Sequence, residues 1–166
     1  AMNYGKWYHE SPSFIGLGLD PNKYNIASMF RALQENACIV SAINLEHIKA
    51  FSGVSPTSLV FASGASQGKL WPQILSDVTG LHVKVPLVKE ATALGVAMAG
   101  GIGAGVYHDY AEAGKNLVKM EKTYEPNKHN FELYRQIKEK WVKIYAKQLE
   151  LVDSGLTTSM WKAPGI

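Results

Sequence analysis

The chain has 166 residues, 46% of them hydrophobic and 19% charged, a composition typical of one globular domain of ordinary size. Lysine and arginine outnumber aspartate and glutamate by 17 to 14, and no basic block is interleaved with aromatic residues, which argues against nucleic-acid binding. The single cysteine, Cys38, excludes a disulfide framework within the chain, and we predict that its thiol is packed in the core. No apolar run is long enough to span a membrane, and we predict a cytoplasmic location.

The N-terminal residues carry little chemistry. Met2 is typical of a native start methionine preceded by one extra residue, so we expect the natural product to begin there. An irregular aromatic segment follows at residues 4–8. His9 and Glu10 would begin the zinc motif His-Glu-x-x-His, but Ser13 stands where the second histidine is required, so no metal site is predicted here.

A strand, a turn and a long helix are predicted next. Residues 13–19 are rich in apolar side chains and predict a strand, and Asp20-Pro21-Asn22-Lys23 is a turn by composition. Asn25 is placed to cap a helix over residues 26–49. Its apolar positions recur at steps of three and four and predict one buried face: Ile26, Phe30, Leu33, Ala37, Val40 and Ile43.

The stretch over residues 59–80 combines a strand, a tight loop and a helix. Residues 59–62 form a short apolar run, the loop of small residues spans 63–68, and a helical pattern then runs to Gly80. The loop consists of Ser63, Gly64, Ala65, Ser66, Gln67 and Gly68. Glycines at such a turn let a ligand approach the backbone, and the free N–H groups of a helix start suit a phosphate. A compact connection without a ligand is an equally simple interpretation.

Two known motifs can be compared with this loop. A P-loop would need glycine at 63 and a hydroxyl residue at 70, and Ser63 and Leu70 both fail. The nucleophile elbow Gly-x-Ser-x-Gly fits residues 64–68, with Asp109 and His129 following in the order that serine hydrolases use. Because such hydrolases need several parallel strands before the nucleophile, hydrolysis by Ser66 is kept only as a minor alternative.

The second half of the chain predicts one strand and three helices. The strand covers residues 81–87, and a helix of small residues covers 91–105, where tight packing would account for the glycines. A short helix is predicted from Asp109 to Met120, and an amphipathic helix over residues 129–152. The order of these elements argues for an α/β layer with parallel strands joined by crossover helices. The five histidines lack ligand spacing.

The central loop and helix resemble the adenosine motif of the FGGY carbohydrate kinases, which belong to the actin, sugar kinase and Hsp70 superfamily. In that motif a strand leads into small residues and then into a helix. The matching helix positions are Trp71, Gln73, Ile74, Ser76, Asp77 and Gly80. Residues 14–17, 30–36 and 89–95 resemble three further segments of the family in the same order. The chain departs from the family at Ser63, where glycine is preferred, and this is expected to change how closely a nucleotide approaches.

The resemblance implies a fold and a partial function. The expected fold is the α/β, ribonuclease-H-like C-terminal domain of this superfamily without its first strands, formed as a single partial domain by residues 1–166. It implies that residues 63–68 bind ATP, with Gly64 and Ala65 presenting backbone to the α-phosphate and ribose. The complete kinase would use ATP and Mg²⁺, and a sugar-like substrate would bind only with the N-terminal domain. Trp71 is expected in the core and Asp77 at the surface or stabilising the helix.

No catalytic residue is assigned to this chain. The family's catalytic aspartate lies in a segment upstream of the matched region, so the isolated chain is expected to be inactive. Residues 151–165 resemble one subgroup of the family in particular, which would set the substrate. Without the first strands a sheet edge and an apolar face would be exposed, so we predict a homo-oligomer. The alternative is a non-catalytic remnant, a weak nucleotide-binding or association module.

Overall fold

A computed structural model describes residues 8–162, which form five helices, five strands and one 3₁₀ turn. In chain order these are β1 (Tyr8–Glu10), α1 (Ile26–Ser52), β2 (Ser58–Val60), the 3₁₀ turn (Gly64–Gln67), α2 (Leu70–Thr79), β3 (His82–Pro86), α3 (Ala91–Gly103), α4 (Tyr110–Leu117), β4 (Met120–Tyr124), α5 (Lys128–Asp153) and β5 (Ser159–Lys162). Most of the aromatic segment at residues 4–8 and the end of the tail at 163–165 lie outside the described residues.

The backbone divides into two compact units. The first comprises residues up to Val54 together with those from Glu132 onward, and the second is Ser55–Phe131. The division falls inside α5, whose first turn belongs to the second unit. The expectation of a single partial domain stays a prediction.

The second unit contains a three-stranded mixed sheet in the order β2-β3-β4. β2 and β3 are parallel and are joined by α2, which confirms the predicted crossover. β4 runs antiparallel to β3, with Val83 opposite Tyr124. Its core combines apolar residues of α2, β3 and α4 with Tyr124 of β4: Ile74, Leu75, Val78, Val83, Val85, Ala113 and Tyr124.

β4 corrects the prediction for residues 109–120. The short helix there begins after Asp109 as predicted, but α4 stops at Leu117 and Met120 starts a strand. β4 lies at the sheet edge with four of its five residues exposed, so its polar sequence lacks the apolar signal of a central strand.

The first unit contains α1, most of α5 and the antiparallel pair β1-β5. α1 begins as predicted, because the Asn25 side chain accepts a hydrogen bond from the Ser28 N–H at 3.0 Å. It ends later than predicted, at Ser52, where Gly53 adopts a left-handed conformation with φ of 70°. The pair β1-β5 was not predicted.

α1 and α5 are linked by polar side chains. The hydroxyl of Tyr134 donates to the Glu35 carboxylate at 2.8 Å, and Arg31 Nε donates to the same oxygen at 2.8 Å. Further along, Trp141 Nε1 donates to Asn36 Oδ1 at 2.8 Å. Burial raises the pKa of Tyr134 to about 12, so this phenol is neutral at physiological pH.

The apolar face predicted for α1 is wrong over its first half. Ile26, Phe30 and Leu33 are exposed, whereas the buried residues of α1 lie further along, at Cys38, Ile39, Ala42 and Ile43. Apolar residues occupy more than one face of α1, and their periodicity does not tell which face a neighbour covers. The packed thiol of Cys38 is confirmed, since this side chain is buried.

Two further expectations are wrong. Residues 13–19 form no strand: their backbone has no strand partner among the described residues, and Phe14, Ile15 and Leu17 are exposed. Close packing does not explain most glycines of residues 91–105 either. A Cβ at Gly95 or at most of the other glycines of this segment would meet no atom within 4 Å.

Within residues 8–162, no helix is long and apolar enough to cross a membrane.

Candidate nucleotide-binding loop

The loop over residues 63–68 connects the carboxyl end of β2 to the start of α2. Phe61 still follows the sheet, because its N–H donates to the Lys84 carbonyl at 2.9 Å. At Ser63 the chain turns sharply, with φ of 75° and ψ of −173°. Ser63 is the only non-glycine residue with a positive φ among those described, and this combination is one that glycine adopts far more readily.

Hydrogen bonds on both sides hold Ser63 in this conformation. Its N–H donates to the Lys89 carbonyl at 2.9 Å, and its own carbonyl accepts the Ser66 N–H at 3.0 Å. The Ser66 hydroxyl donates to the same carbonyl at 2.7 Å. The strained turn is therefore fixed by contacts to the next turn of the chain and to the segment that follows β3.

Ser66 is a structural residue of the loop. Only 3% of its surface is exposed, and its hydroxyl donates to a main-chain carbonyl instead of a histidine. Asp109 has another role, since its carboxylate caps α4 by accepting the Glu112 N–H, a bond that lowers the pKa of Asp109. The arrangement of a serine hydrolase is absent from these contacts, and the minor alternative is dropped.

The surface of the loop is open at its glycines. A Cβ at Gly64 or at Gly68 would meet no atom within 4 Å, so both backbone positions can be approached by a ligand. Ser63, Gln67 and Gly68 are also exposed, and Ala65 is half-buried. α2 has no side-chain cap. Because Pro72 in its first turn has no N–H, at most Leu70 and Trp71 offer free donors there.

Two residues of α2 that carry the family resemblance, Trp71 and Ser76, contact neighbouring segments of the second unit. The ring of Trp71 packs against Phe61, with ring centroids 6.2 Å apart, but Trp71 is half-buried and not a buried core residue as expected. Ser76 is fully buried, and its single hydroxyl hydrogen is shared between the carbonyls of Leu81 at 2.7 Å and Tyr124 at 3.1 Å. These contacts tie α2 to Phe61 after β2, to Leu81 before β3 and to Tyr124 of β4.

Asp77 is buried, so the surface position expected as one of its two roles is wrong, whereas its bond from Gln73 of the same helix fits the other, helix-stabilising role. Only 4% of it is exposed, and its two carboxylate oxygens accept hydrogen bonds from Gln73 at 2.9 Å, from the Asn127 N–H at 2.9 Å and from Asn130 at 2.8 Å. Gln73 also donates to the Glu125 carbonyl at 2.9 Å. Asp77 thereby ties α2 to the segment that leads into α5.

Gly80 ends α2 at a position where a side chain does not fit. Its φ is 70°, and a Cβ there would lie 2.7 Å from Cε2 of Phe131. The helix residues that carry the family resemblance thus have structural roles. Asn127, Asn130 and Lys89 were missed by sequence reasoning because their partners are distant in the chain.

Comparisons with known proteins identify this fold. Residues 5–104 match the C-terminal domain of the FGGY family of carbohydrate kinases. The chain is 59% identical over all 166 residues to the autoinducer-2 kinase of Salmonella typhimurium (strain LT2), and it spans 31% of that relative's length. The subgroup that residues 151–165 resemble is therefore that of the autoinducer-2 kinases.

Two solved structures share the fold. A kinase from Brucella ovis, described as a xyloylose kinase, superposes with a TM-score of 0.71 at 20% identity, covering 84% of this chain and 28% of the other. The glycerol kinase of Plasmodium falciparum with ADP superposes with a TM-score of 0.66 at 18% identity. The match covers 82% of this chain and 26% of the glycerol kinase. The α/β fold of the actin, Hsp70 and sugar kinase superfamily is confirmed. The chain belongs to the FGGY family of carbohydrate kinases, of which it forms a C-terminal domain segment.

Proposed function

We propose that this chain is the C-terminal, nucleotide-binding part of an ATP-dependent kinase for autoinducer-2, in its linear form 4,5-dihydroxy-2,3-pentanedione. The observation that carries the proposal is the identity of 59% along the whole chain with an autoinducer-2 kinase. The chain spans 31% of that relative, so the phosphoryl transfer itself belongs to the complete cytoplasmic kinase.

The nucleotide would lie against residues 63–68. Gly64 and Gly68 leave open backbone at the carboxyl end of β2, the place where α/β folds bind ligands. Gly64 and Ala65 would face the α-phosphate and ribose, with Gln67 and Gly68 beside the nucleoside. Ser66 would contribute through its main chain, because its side chain is buried. The glycerol kinase of similar fold was solved with ADP, which supports the use of a nucleotide by the complete kinase.

Mg²⁺ would enter with the nucleotide. Among residues 8–162 no group of three or more histidine, cysteine or acidic side chains could hold a metal ion, so this segment offers no ligand set of its own. The nucleotide phosphates and the remainder of the kinase would provide the ligands. Phosphoryl transfer depends mainly on positioning and electrostatic stabilisation, and this chain's part is to hold the nucleotide in place.

A chimeric kinase tests the proposal. In the Salmonella typhimurium autoinducer-2 kinase, the C-terminal 31% would be replaced by this chain, and ATP-dependent phosphorylation of 4,5-dihydroxy-2,3-pentanedione would be measured. We expect activity in the chimera and its loss when Gly64→Val is introduced. A folded chimera without activity would contradict the proposal.

A second candidate function is an association module, and exposed apolar side chains favour it. Phe30, Leu33 and Phe51 of α1 are all more than half exposed, at 61%, 51% and 96%. Where exposed apolar side chains form a contiguous patch, another protein commonly covers it, so the isolated chain would self-associate as a homo-oligomer if this face of α1 is such a patch. Sedimentation at increasing concentration tests this, and a monomer throughout would contradict it.

A further inference from the structure

Lys89 joins three parts of the second unit. Its carbonyl accepts the Ser63 N–H at 2.9 Å and also the Ala91 N–H at 2.9 Å. It therefore contacts the candidate nucleotide loop on one side and the first turn of α3 on the other. The Ser63 bond has a particular consequence, since it restrains a serine whose φ of 75° is unfavourable for a residue with a Cβ.

The side chain of Lys89 is anchored as well. Its ammonium group donates to the Pro86 carbonyl at 2.7 Å and forms an ion pair with the carboxylate of Glu121 in β4. The Lys89 side chain is only 22% exposed, whereas that of Glu121 is 50% exposed. The Leu87 N–H donates to the Lys119 carbonyl at 2.8 Å, which ties the same segment to the residue before β4.

We infer that Lys89 is a positioning residue for the nucleotide loop. With its side chain fixed to Pro86 and Glu121, its carbonyl stays where it can hold Ser63 in the strained conformation. In that conformation no atom lies within 4 Å of a Cβ built at Gly64, the next residue, so its backbone is open to a ligand. The inference rests on the proposed nucleotide site and adds to it a residue that does not touch the nucleotide.

The consequence for binding follows from the population of the binding-competent loop. If the side-chain anchor is removed, the Ser63 bond weakens and the strained turn is populated less often. The apparent dissociation constant rises as that population falls. A loop that is competent about a tenth of the time binds about tenfold more weakly. Glycine at 63 needs no such restraint, so it should make Lys89 dispensable.

The experiment compares the dissociation constant of MgATP in the chain and its variants. Lys89→Met should weaken binding about tenfold, and Glu121→Gln should weaken it in the same direction. Lys115→Met is the matched control, since Lys115 is an exposed lysine of α4. Adding Ser63→Gly to Lys89→Met should restore binding, a rescue that a general loss of stability would not show.

Amide hydrogen exchange at Ser63 separates this inference from the proposed function. In the absence of nucleotide, Lys89→Met should speed exchange of the Ser63 N–H about tenfold and leave amides of the β3 core unchanged. Faster exchange with no MgATP binding by the parent chain would contradict the proposed function and support the positioning role. Unchanged exchange at Ser63, or no rescue by Ser63→Gly in a chain that binds nucleotide, would overturn the positioning role.

Discussion

The strained conformation of Ser63 predicts that a single substitution stabilises the chain. Its φ of 75° and ψ of −173° lie in a region used almost only by glycine, where another residue costs about 1–3 kcal/mol. Ser63→Gly removes this strain but gives the unfolded chain more freedom, which offsets about 0.4–1 kcal/mol. The expected net gain in the free energy of unfolding is about 0.5–2 kcal/mol.

Urea and thermal unfolding followed by circular dichroism measure this gain. For a chain of this size each kcal/mol raises the midpoint of thermal unfolding by about 2–4 °C. Ser63→Ala is the matched control, because alanine keeps the Cβ and with it the strain. A stability gain in the alanine variant, or none in the glycine variant, would show that the backbone at residue 63 is not strained.

Three further predictions concern contacts away from the loop. Asp77→Asn leaves an amide donor facing donors at a buried site, so it should lower the free energy of unfolding by about 1–3 kcal/mol in urea titrations; an unchanged urea midpoint would contradict this. Asn25→Ala removes the cap of α1 and should cost about 1 kcal/mol, with Asn25→Asp as a control that keeps most of the stability. Burial raises the pKa of Tyr134 from 10.0 to about 12. The neutral phenol therefore adds its full contribution to the free energy of unfolding below about pH 10, and this contribution is lost as the pH rises through about 12. Stability measured against pH should therefore fall less steeply above pH 10 in Tyr134→Phe than in the parent, and equal slopes would contradict this.

The local sequence predicted the helices well. α1 and α4 begin after cap residues, Asn25 and Asp109, whose side chains accept N–H groups of the first turn. α2 ends at Gly80, which has the left-handed conformation expected of a glycine after a helix. These signals act between residues close in the chain, so they can be recognised without the fold.

The strands and the packing were predicted less well, because both depend on distant partners. Residues 13–19 are apolar enough for a strand but have no strand partner within residues 8–162, whereas polar β4 forms because β3 lies beside it. The exposed Phe30 of α1 shows the same limit, since a helical pattern gives the apolar face but does not identify what covers it.

The position of the candidate loop could be predicted from the sequence, but the hydrogen bonds that hold it could not. The small residues between β2 and α2 indicated its place, and the preference of the family for glycine at 63 agrees with the conformation found there. Asp77 accepts a hydrogen bond from Asn127, and Ser63 donates one to Lys89. The two residues of each pair are 26 or more positions apart in the chain. Such pairs are created by the fold, and one sequence does not reveal them.

The most direct test of the account is a calorimetric titration of this chain with MgATP. Gly64 has open space around its missing Cβ, so Gly64→Val should fold normally and block the ligand surface. Gly114→Ala, at an equally open glycine of α4, is the control, and GTP tests preference for adenine. We expect saturable, weak binding of MgATP that is retained in Gly114→Ala and lost in Gly64→Val. Equal binding by the parent and Gly64→Val, or no binding at millimolar MgATP, would contradict a nucleotide site at this loop.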